Sequence, residues 1–168
     1  KSEFAASKYD VNLFSSKNKG NDNGVAAKLQ LIKEGQPIRL FQKSLQLQTN
    51  AGIEYVNRRF KPLERLRNVE FNRDWSLPYI VNAADERIIN AAAGVEDKAG
   101  NMFRYEIVNY NRSDNFNGYR HQLQNRLVID GWKFSNILSV TNINAATLSG
   151  SYIRPTIDLS KELSKFKK

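Results

Sequence analysis

The chain has 168 residues, of which 40% are hydrophobic. This is enough for one domain with a modest core or for one covered side of a sheet. Its 26 Lys and Arg residues outnumber its 17 Asp and Glu residues, which gives a net charge of +9 and favours anionic surroundings. The chain has no cysteine, which excludes disulfides, thiolate metal ligands and a cysteine nucleophile.

Two further features concern the length of the protein and its relation to membranes. The chain begins at Lys1 and its only methionine is Met102, so we expect a mature or excised piece of a longer protein. The longest nearly apolar run, residues 88–95, is far shorter than the roughly 20 residues that a membrane-spanning helix needs. A membrane-spanning strand needs only about 9 to 11 residues.

Apolar and polar residues alternate with the period of a β-strand from the start of the chain. The first predicted strand covers residues 3–14, and the Gly-, Asn- and Asp-rich stretch 15–24 predicts an exposed loop. A second strand over Val25–Leu31 is expected to end at residues 34–37, which include Gly35 and Pro37. The next extended segment, residues 38–60, is too long for a typical globular strand unless it is bent, bulged or part of a large sheet.

The alternation stops between residues 61 and 86, which predicts an irregular connection rich in aromatic residues and arginine. Pro62–Arg67 is expected to form a short helical turn, with the proline at its first position. The aromatic and apolar side chains that should anchor the connection over an end of the sheet are Phe71, Trp75, Leu77 and Tyr79. We treat it as part of a single β domain, or segment of a larger β protein, over residues 1–168.

A regular meander is predicted for the second half of the chain. Its strands are expected at 87–96, 102–112, 119–129, from Trp132 onward and around Ile153–Leu159. Asp130-Gly131 is the strongest hairpin signal in the chain. Pro155 cannot donate to a hydrogen-bond ladder, so the last strand should lie at an edge or a bulge.

These patterns predict an all-β fold, an antiparallel meander of about eight strands that forms a barrel or part of a larger barrel. A soluble β-sandwich is the alternative. One face of the sheet should be apolar, as in Leu45, Leu47, Ile53 and Tyr55. The other face should be polar and basic.

Several segments of the chain resemble segments of a known protein family. They are SKYDVNLFS at 7–15, GVAAK at 24–28, FKPLERLR at 60–67, EFNRDW at 70–75, FRYEIVNYNR at 103–112 and GYRH at 118–121. In the order and general β-barrel character of these segments, the chain resembles the large outer-membrane β-barrel proteins of Bacteroidetes-type bacteria. The resemblance implies a non-enzymatic structural or pore-like element of the bacterial cell envelope, in the outer membrane, with lipid or lipopolysaccharide as partner.

Other observations favour the soluble alternative, a periplasmic or secreted module that binds an anionic glycan or a protein through its loops. Asn125, Asn136 and Asn142 lie on the more apolar faces, where lipid would penalise an amide. No pair of aromatic girdles is evident from the sequence. A nucleic-acid-binding barrel is a weaker alternative, and the sequence does not set the oligomeric state.

A cluster of bases and aromatic residues within the connection is the candidate ligand site. It comprises Arg58, Arg59, Lys61, Arg65, Arg67, Arg73 and Trp75. Arginine binds phosphate or carboxylate through paired hydrogen bonds and stacks on flat rings, so an anionic ligand is one interpretation. The interpretation that we favour is structural, with Glu64, Glu70 and Asp74 pairing with the arginines to hold the connection in place.

No catalytic constellation is found. His121 is the only histidine, which excludes sites built on a pair of imidazoles, and we interpret it as a hydrogen-bonded residue of a strand. The acids have no spacing that points to a carboxylate pair. We therefore predict no enzymatic activity, no metal and no cofactor.

Overall fold

The computed structural model describes residues 1–10, 22–40, 43–78, 81–146 and 148–162. Its elements are β1 (Ser2–Lys8), β2 (Asn23–Leu40), β3 (Lys43–Val56), α1 (Phe71–Asp74), β4 (Glu86–Glu96), β5 (Met102–Arg112), β6 (Phe116–Ile129), β7 (Trp132–Asn144) and β8 (Ser149–Lys161). The eight strands form one sheet in chain order, and every neighbouring pair is antiparallel. The predicted all-β antiparallel meander is therefore confirmed.

The sheet is open, with β1 and β8 as its two edges. Within the described residues it is neither a closed barrel nor a sandwich of two sheets. Pro155 lies in β8, so its missing N–H falls on an edge strand as predicted.

The second strand does not end where the sequence indicated. Residues 34–37 belong to β2, which runs on to Leu40 through an irregularity between Lys33 and Gln36, where the register to β3 shifts. Gly35 has φ = 68° there, a conformation that glycine adopts without steric cost. A bulge thus absorbs the glycine without ending the ladder, and the predicted break was wrong.

The predicted extended segment 38–60 is mostly strand, but its bounds were wrong because it is divided between β2 and β3. Ile38–Leu40 complete β2, and β3 begins at Lys43, directly opposite Leu40. Residues 41 and 42, which lie outside the described residues, are Phe and Gln. Neither is a turn-forming residue type, so the sequence carried no signal for a hairpin at this point.

The first predicted strand and its loop are only partly described. β1 covers Ser2–Lys8, and residues 11–21 lie outside the described part of the chain. Asn23 and Gly24, predicted as loop, are the first residues of β2.

The predicted meander of the second half agrees closely with the structure. β4 begins one residue before its predicted start, and β5 has its predicted bounds. β6 begins at Phe116 because Asn115, with φ = 67°, completes the preceding turn early. Asp130 and Gly131 both have positive φ, 49° and 76°, as a tight two-residue hairpin between β6 and β7 requires.

The two ends of the sheet differ in their connections. At the end that we call the turn end, residues 41–42, 97–101 and 130–131 join the strands. At the opposite end, which we call the connection end, the links include residues 9–22 and residues 57–85. We call residues 57–85, which join β3 to β4, the connection.

The Asp130-Gly131 hairpin yields a first prediction. Gly131→Ala should lower the free energy of unfolding by about 1 kcal/mol, because a Cβ makes positive φ unfavourable. Asp130→Asn is the matched control and should have little effect, because asparagine tolerates positive φ as aspartate does. Equilibrium urea unfolding measures both, and equal stability of Gly131→Ala and the parent protein would contradict the turn geometry.

Candidate functional site

The register assigns each strand residue to one of two faces, because residues directly opposite in an antiparallel pair share a face and successive residues alternate. One continuous row, for example, runs from Leu29 of β2 through Ile53 and Ile89 to Asn109, Tyr119, Asn142 and Ser151 of β8. We call the face that contains this row the apolar face and the other the polar face.

No described part of the chain covers the apolar face. With the sole exception of Ile32, every exposed large apolar side chain of the described strands lies on it. These side chains are Phe4, Val25, Leu29, Leu31, Leu40, Ile53, Tyr55, Ile89, Phe103, Tyr105, Tyr119, Leu127, Ile129, Trp132, Leu138, Ile153, Ile157 and Leu159. At the usual strand spacing of about 4.8 Å, the eight strands make a surface on the order of 35 Å wide. Soluble monomers rarely expose a contiguous apolar patch larger than a few hundred Å².

Charged residues occur on the apolar face almost solely at its margins. In the described strands they are all bases, namely Lys8, Lys33, Lys43, Arg87 and Lys161. All except Lys33 lie at or next to the end of a strand. Lys161 also lies 4.8 Å from the ring centre of Trp132 at the turn end. Long basic side chains at the border of an apolar surface can reach water or anionic groups with their charged ends.

Polar residues also interrupt the apolar face. Asn125 and Asn136 are directly opposite on β6 and β7, and Asn125 Oδ1 is buried without a hydrogen-bond partner among the described residues. His121 is better satisfied, since its Nδ1 lies 2.6 Å from the hydroxyl of Tyr105 on the same face. This hydrogen bond agrees with the prediction that His121 is a bonded residue of a strand.

The polar face carries amides and charges of both signs. Acids compensate many of its bases, as in the ion pair of Arg126 with Glu96 at 2.7 Å and that of Lys28 with Glu54 at 3.6 Å. A cavity of about 220 Å³ lies on this face beside the bulge of β2. Its polar lining includes Gln30, Glu34, Gln48, Asn50 and Arg104.

The connection lies across the connection end of the polar face and touches both edges of the sheet. Near its start, the Lys61 amide donates to Ser7 Oγ of β1 at 2.9 Å. Further on, Asp74 forms a 2.7 Å ion pair with Arg154 of β8. The connection, which joins the adjacent strands β3 and β4, therefore extends across the whole sheet from β1 to β8.

Two glycines let the connection approach the sheet closely. A Cβ on Gly24 of β2 would lie 2.2 Å from the backbone nitrogen of Phe60. A Cβ on Gly118 of β6 would lie 2.7 Å from the ring of Trp75. Any larger residue at either position would displace the connection.

Aromatic packing forms the buried core of the described structure where the connection meets the sheet. Trp75 is 1% exposed and Tyr110 of β5 is fully buried, with their ring centres 5.3 Å apart. Val108, Phe116 and Ile143 complete the cluster from β5, β6 and β7. Phe71 and Leu77 of the connection pack against it, as predicted, whereas Tyr79 lies outside the described residues.

Two arginines bind the same carboxylate at the edge of this core. Arg67 of the connection pairs with Glu54 of β3 and, at 3.1 Å, with Glu86 of β4. Arg112 of β5 contacts Glu86 at 3.0 Å and binds both oxygens of Asp114. Hydrogen bonding to Arg112 lowers the pKa of Asp114 below its usual range. The connection is therefore tied by charge-assisted hydrogen bonds to β3 and β4, and through the shared Glu86 to Arg112 of β5.

The structure places the predicted site residues in different environments. Arg58 pairs with Asp85 at 3.2 Å, and Arg73 pairs with Glu70 at 2.6 Å. Arg59 and Arg65 are exposed, and the Lys61 ammonium lies 6.0 Å from the Tyr9 ring centre. Trp75 is buried in the core instead of being open to a ligand.

The ion pairs partly follow the structural interpretation. Glu70 and Asp74 both pair with Arg73 of the cluster as expected, but Glu64 makes no ion pair within the described residues. The partners Glu54, Glu86 and Asp85 were missed because they come from outside the sequence window that held the arginines. The expected helical turn at Pro62–Arg67 was wrong: residues 63–64 and 66–67 form bends, and α1 is the only helix among the described residues.

Within the described residues, no group of three or more His, Asp or Glu side chains is placed to hold a metal ion. No helix in the same part of the chain is long and apolar enough to cross a membrane. No family model, curated protein or solved structure matches this chain.

A second prediction concerns Arg67. Arg67→Met should lower the free energy of unfolding by about 2 kcal/mol, because it leaves two partly buried carboxylates without their shared counter-charge. Arg65→Met, two residues earlier on an exposed side chain, is the matched control and should change stability by less than about 0.5 kcal/mol. Urea unfolding measures both variants, and equal losses would show that Arg67 does not anchor the connection.

A third prediction concerns the close contact of Trp75 with Gly118. In a Trp132→Phe background, Trp75 is the only tryptophan and should emit at short wavelength because it is buried. Gly118→Ala should move this emission to longer wavelength, because the added methyl group would overlap the indole ring. Gly150→Ala, on the same face in β8, is the control. An unchanged spectrum for Gly118→Ala would mean that the ring does not lie on Gly118.

Proposed function

We propose that this chain is a membrane-embedded β-sheet element of the bacterial cell envelope, without catalytic turnover. Its apolar face contacts the acyl chains of lipid, and its polar face lines an aqueous interior that the connection partly occupies. The uncovered apolar face is the observation that carries the proposal.

The dimensions of the strands support lipid as the occupant of the apolar face. Strands β2 to β8 contain 11 to 18 residues, at least the roughly 9 to 11 residues that a tilted membrane strand needs. The described part of the apolar face carries no acid, and four of its five bases lie near strand ends. A second protein layer could cover the same face, but it would not require bases to stay at the margins.

Aromatic side chains provide further support. Tyr55 and Tyr119 lie on the apolar face toward the connection end, and Trp132 and Phe134 lie on it toward the turn end. Aromatic residues are enriched at both borders of membrane barrels. The grouping was not evident from the sequence because it depends on the register that aligns distant residues.

The ends of the sheet suggest an orientation. Outer-membrane sheets have short turns on the periplasmic side and longer loops outside the cell. The connection end, with its links of residues 9–22 and 57–85, is accordingly the outer end in this proposal. Bases at the margins of the apolar face would meet the anionic groups of lipid or lipopolysaccharide.

The polar face supports a pore-like interior in place of a reaction centre. Amides and compensated ion pairs are compatible with a wall in contact with water. The connection crosses this wall at the outer end, so it would narrow the interior there. The sheet described here is open. The resemblance to large outer-membrane barrels implies that further strands would close it around the aqueous interior.

The proposal predicts that charge is excluded from one face only. Leu123→Arg, in the middle of β6 on the apolar face, should weaken insertion into liposomes by about 2–4 kcal/mol, the cost of an arginine on the lipid side near the midplane. Gln124→Arg, the next residue along β6 but on the polar face, is the matched control and should insert as the parent protein does. Flotation of refolded protein with phosphatidylcholine liposomes measures the inserted fraction.

Two results would contradict the membrane assignment. One is a parent protein that stays in solution without detergent and does not float with liposomes. The other is equal insertion of both arginine variants. The first result would favour the soluble module that binds a glycan or a protein.

A further inference from the structure

The cavity on the polar face, beside the bulge of β2, combines two opposite charges with one apolar side chain. Glu34 of β2 supplies the negative charge, and Arg104 of β5 supplies the positive charge. Ile32 is 59% exposed and is the one exposed large apolar side chain of the described strands that lies on the polar face. The volume of about 220 Å³ is below the roughly 300–1,000 Å³ of sites for drug-sized ligands, so the cavity suits one small molecule.

The bulge positions the acid of this cavity. Glu34 and Gly35 together lie opposite the single residue Gln48 of β3, which is the arrangement of a β-bulge. Bulges re-aim side chains and are frequent beside functional sites. Glu34 forms no ion pair with any residue that the structure describes. Its charge is therefore available to a ligand.

The base of the cavity comes from two strands away. Nη2 of Arg104 donates a hydrogen bond to Asn50 Oδ1 of β3, so this side chain extends across β4. Gly94 of β4 lies directly opposite Arg104 and leaves space for it, because a Cβ there would be 3.0 Å from the Arg104 Cβ. In the described part of the chain no carboxylate pairs with this guanidinium, and its other N–H donors can therefore meet a ligand.

We propose that this cavity binds a small zwitterion, namely a free α-amino acid with an apolar side chain. The carboxylate of the ligand contacts Arg104, since guanidinium groups bind carboxylates through paired hydrogen bonds. Its ammonium contacts Glu34, and its side chain covers Ile32. The amides of Gln30 and Gln48, which also line the cavity, supply further donors and acceptors.

The two opposite charges favour this ligand over other small molecules. A plain anion would be attracted by Arg104 but repelled by Glu34. A sugar would find hydrogen-bond partners among the amides but would leave both charges without a counter-charge. An α-amino acid compensates both. The proposed site needs only a polar face in contact with water, so it goes beyond the membrane function and does not depend on it.

Isothermal titration calorimetry with L-leucine tests the site on the refolded chain in detergent solution. Two analogues separate the charges of leucine: 4-methylpentanoate lacks the ammonium, and 3-methylbutylamine lacks the carboxylate. Arg104→Gln and Glu34→Gln each remove one charge from the cavity. Lys133→Gln and Asp158→Asn are the matched controls, because they remove one base and one acid from the polar face outside the cavity.

The parent protein should bind leucine at least about tenfold more tightly than either analogue, because each analogue loses a hydrogen bond between charged groups. Arg104→Gln and Glu34→Gln should each weaken leucine binding by a similar factor, and the two control variants should bind leucine as the parent does. Ile32→Ser should reduce the preference for leucine over glycine. Circular dichroism confirms that each variant retains its strands.

Four results would overturn the assignment. They are unchanged leucine binding in Arg104→Gln or Glu34→Gln, equal affinity of the parent for leucine and 4-methylpentanoate, binding of D-glucose without binding of leucine, and no binding of any probe to a chain that retains its strands. The second result would indicate an anion site and the third a sugar site. Liposome flotation is a separate measurement, so none of the four decides the membrane function.

Discussion

The antiparallel hydrogen-bond ladder is the constraint on which every other property of this protein depends. Because side chains alternate along a strand, the register decides which residues share a face, and a slip of one residue would exchange the two faces of a strand. The rows run without interruption from β2 to β8, so they bring together apolar residues from distant parts of the chain, such as Leu31, Ala91 and Ile153. The bulge between Lys33 and Gln36 preserves this order by letting β2 continue past Gly35.

The connection packs against one end of the sheet and forms most of the buried contacts there. It supplies Trp75 to the aromatic core and Arg67 to the carboxylates of β3 and β4, so the best-packed part of the described structure lies on the polar face. Gly24 and Gly118 make this contact possible because they leave room for the backbone and for the indole ring. None of the described residues covers the opposite face in a comparable way, which is the basis of the proposed contact with lipid.

The distribution of charge agrees with this division. On the polar face acids compensate many of the bases, whereas the charged residues on the described part of the apolar face are all bases and, except for Lys33, lie near strand ends. The net charge of +9 therefore does not make the polar face uniformly basic, contrary to the simplest interpretation of the composition. Exposed arginines of the connection, such as Arg65, remain open to solvent at its outer surface.

The sequence alone determined the class of fold, most of the later strands, the Asp130-Gly131 hairpin, the edge position of Pro155 and the aromatic anchors of the connection, because alternation and turn chemistry are local. It did not reveal that Leu40 and Lys43 pair with each other, because no turn-forming residue lies between them, and its glycine signal at Gly35 indicated a strand end where the structure has a bulge. Only the tertiary structure paired Arg67 with Glu54 and Glu86, placed the connection across all eight strands and aligned Leu29 with Ser151. Those relations depend on which distant residues become neighbours, and the register of the complete sheet sets them.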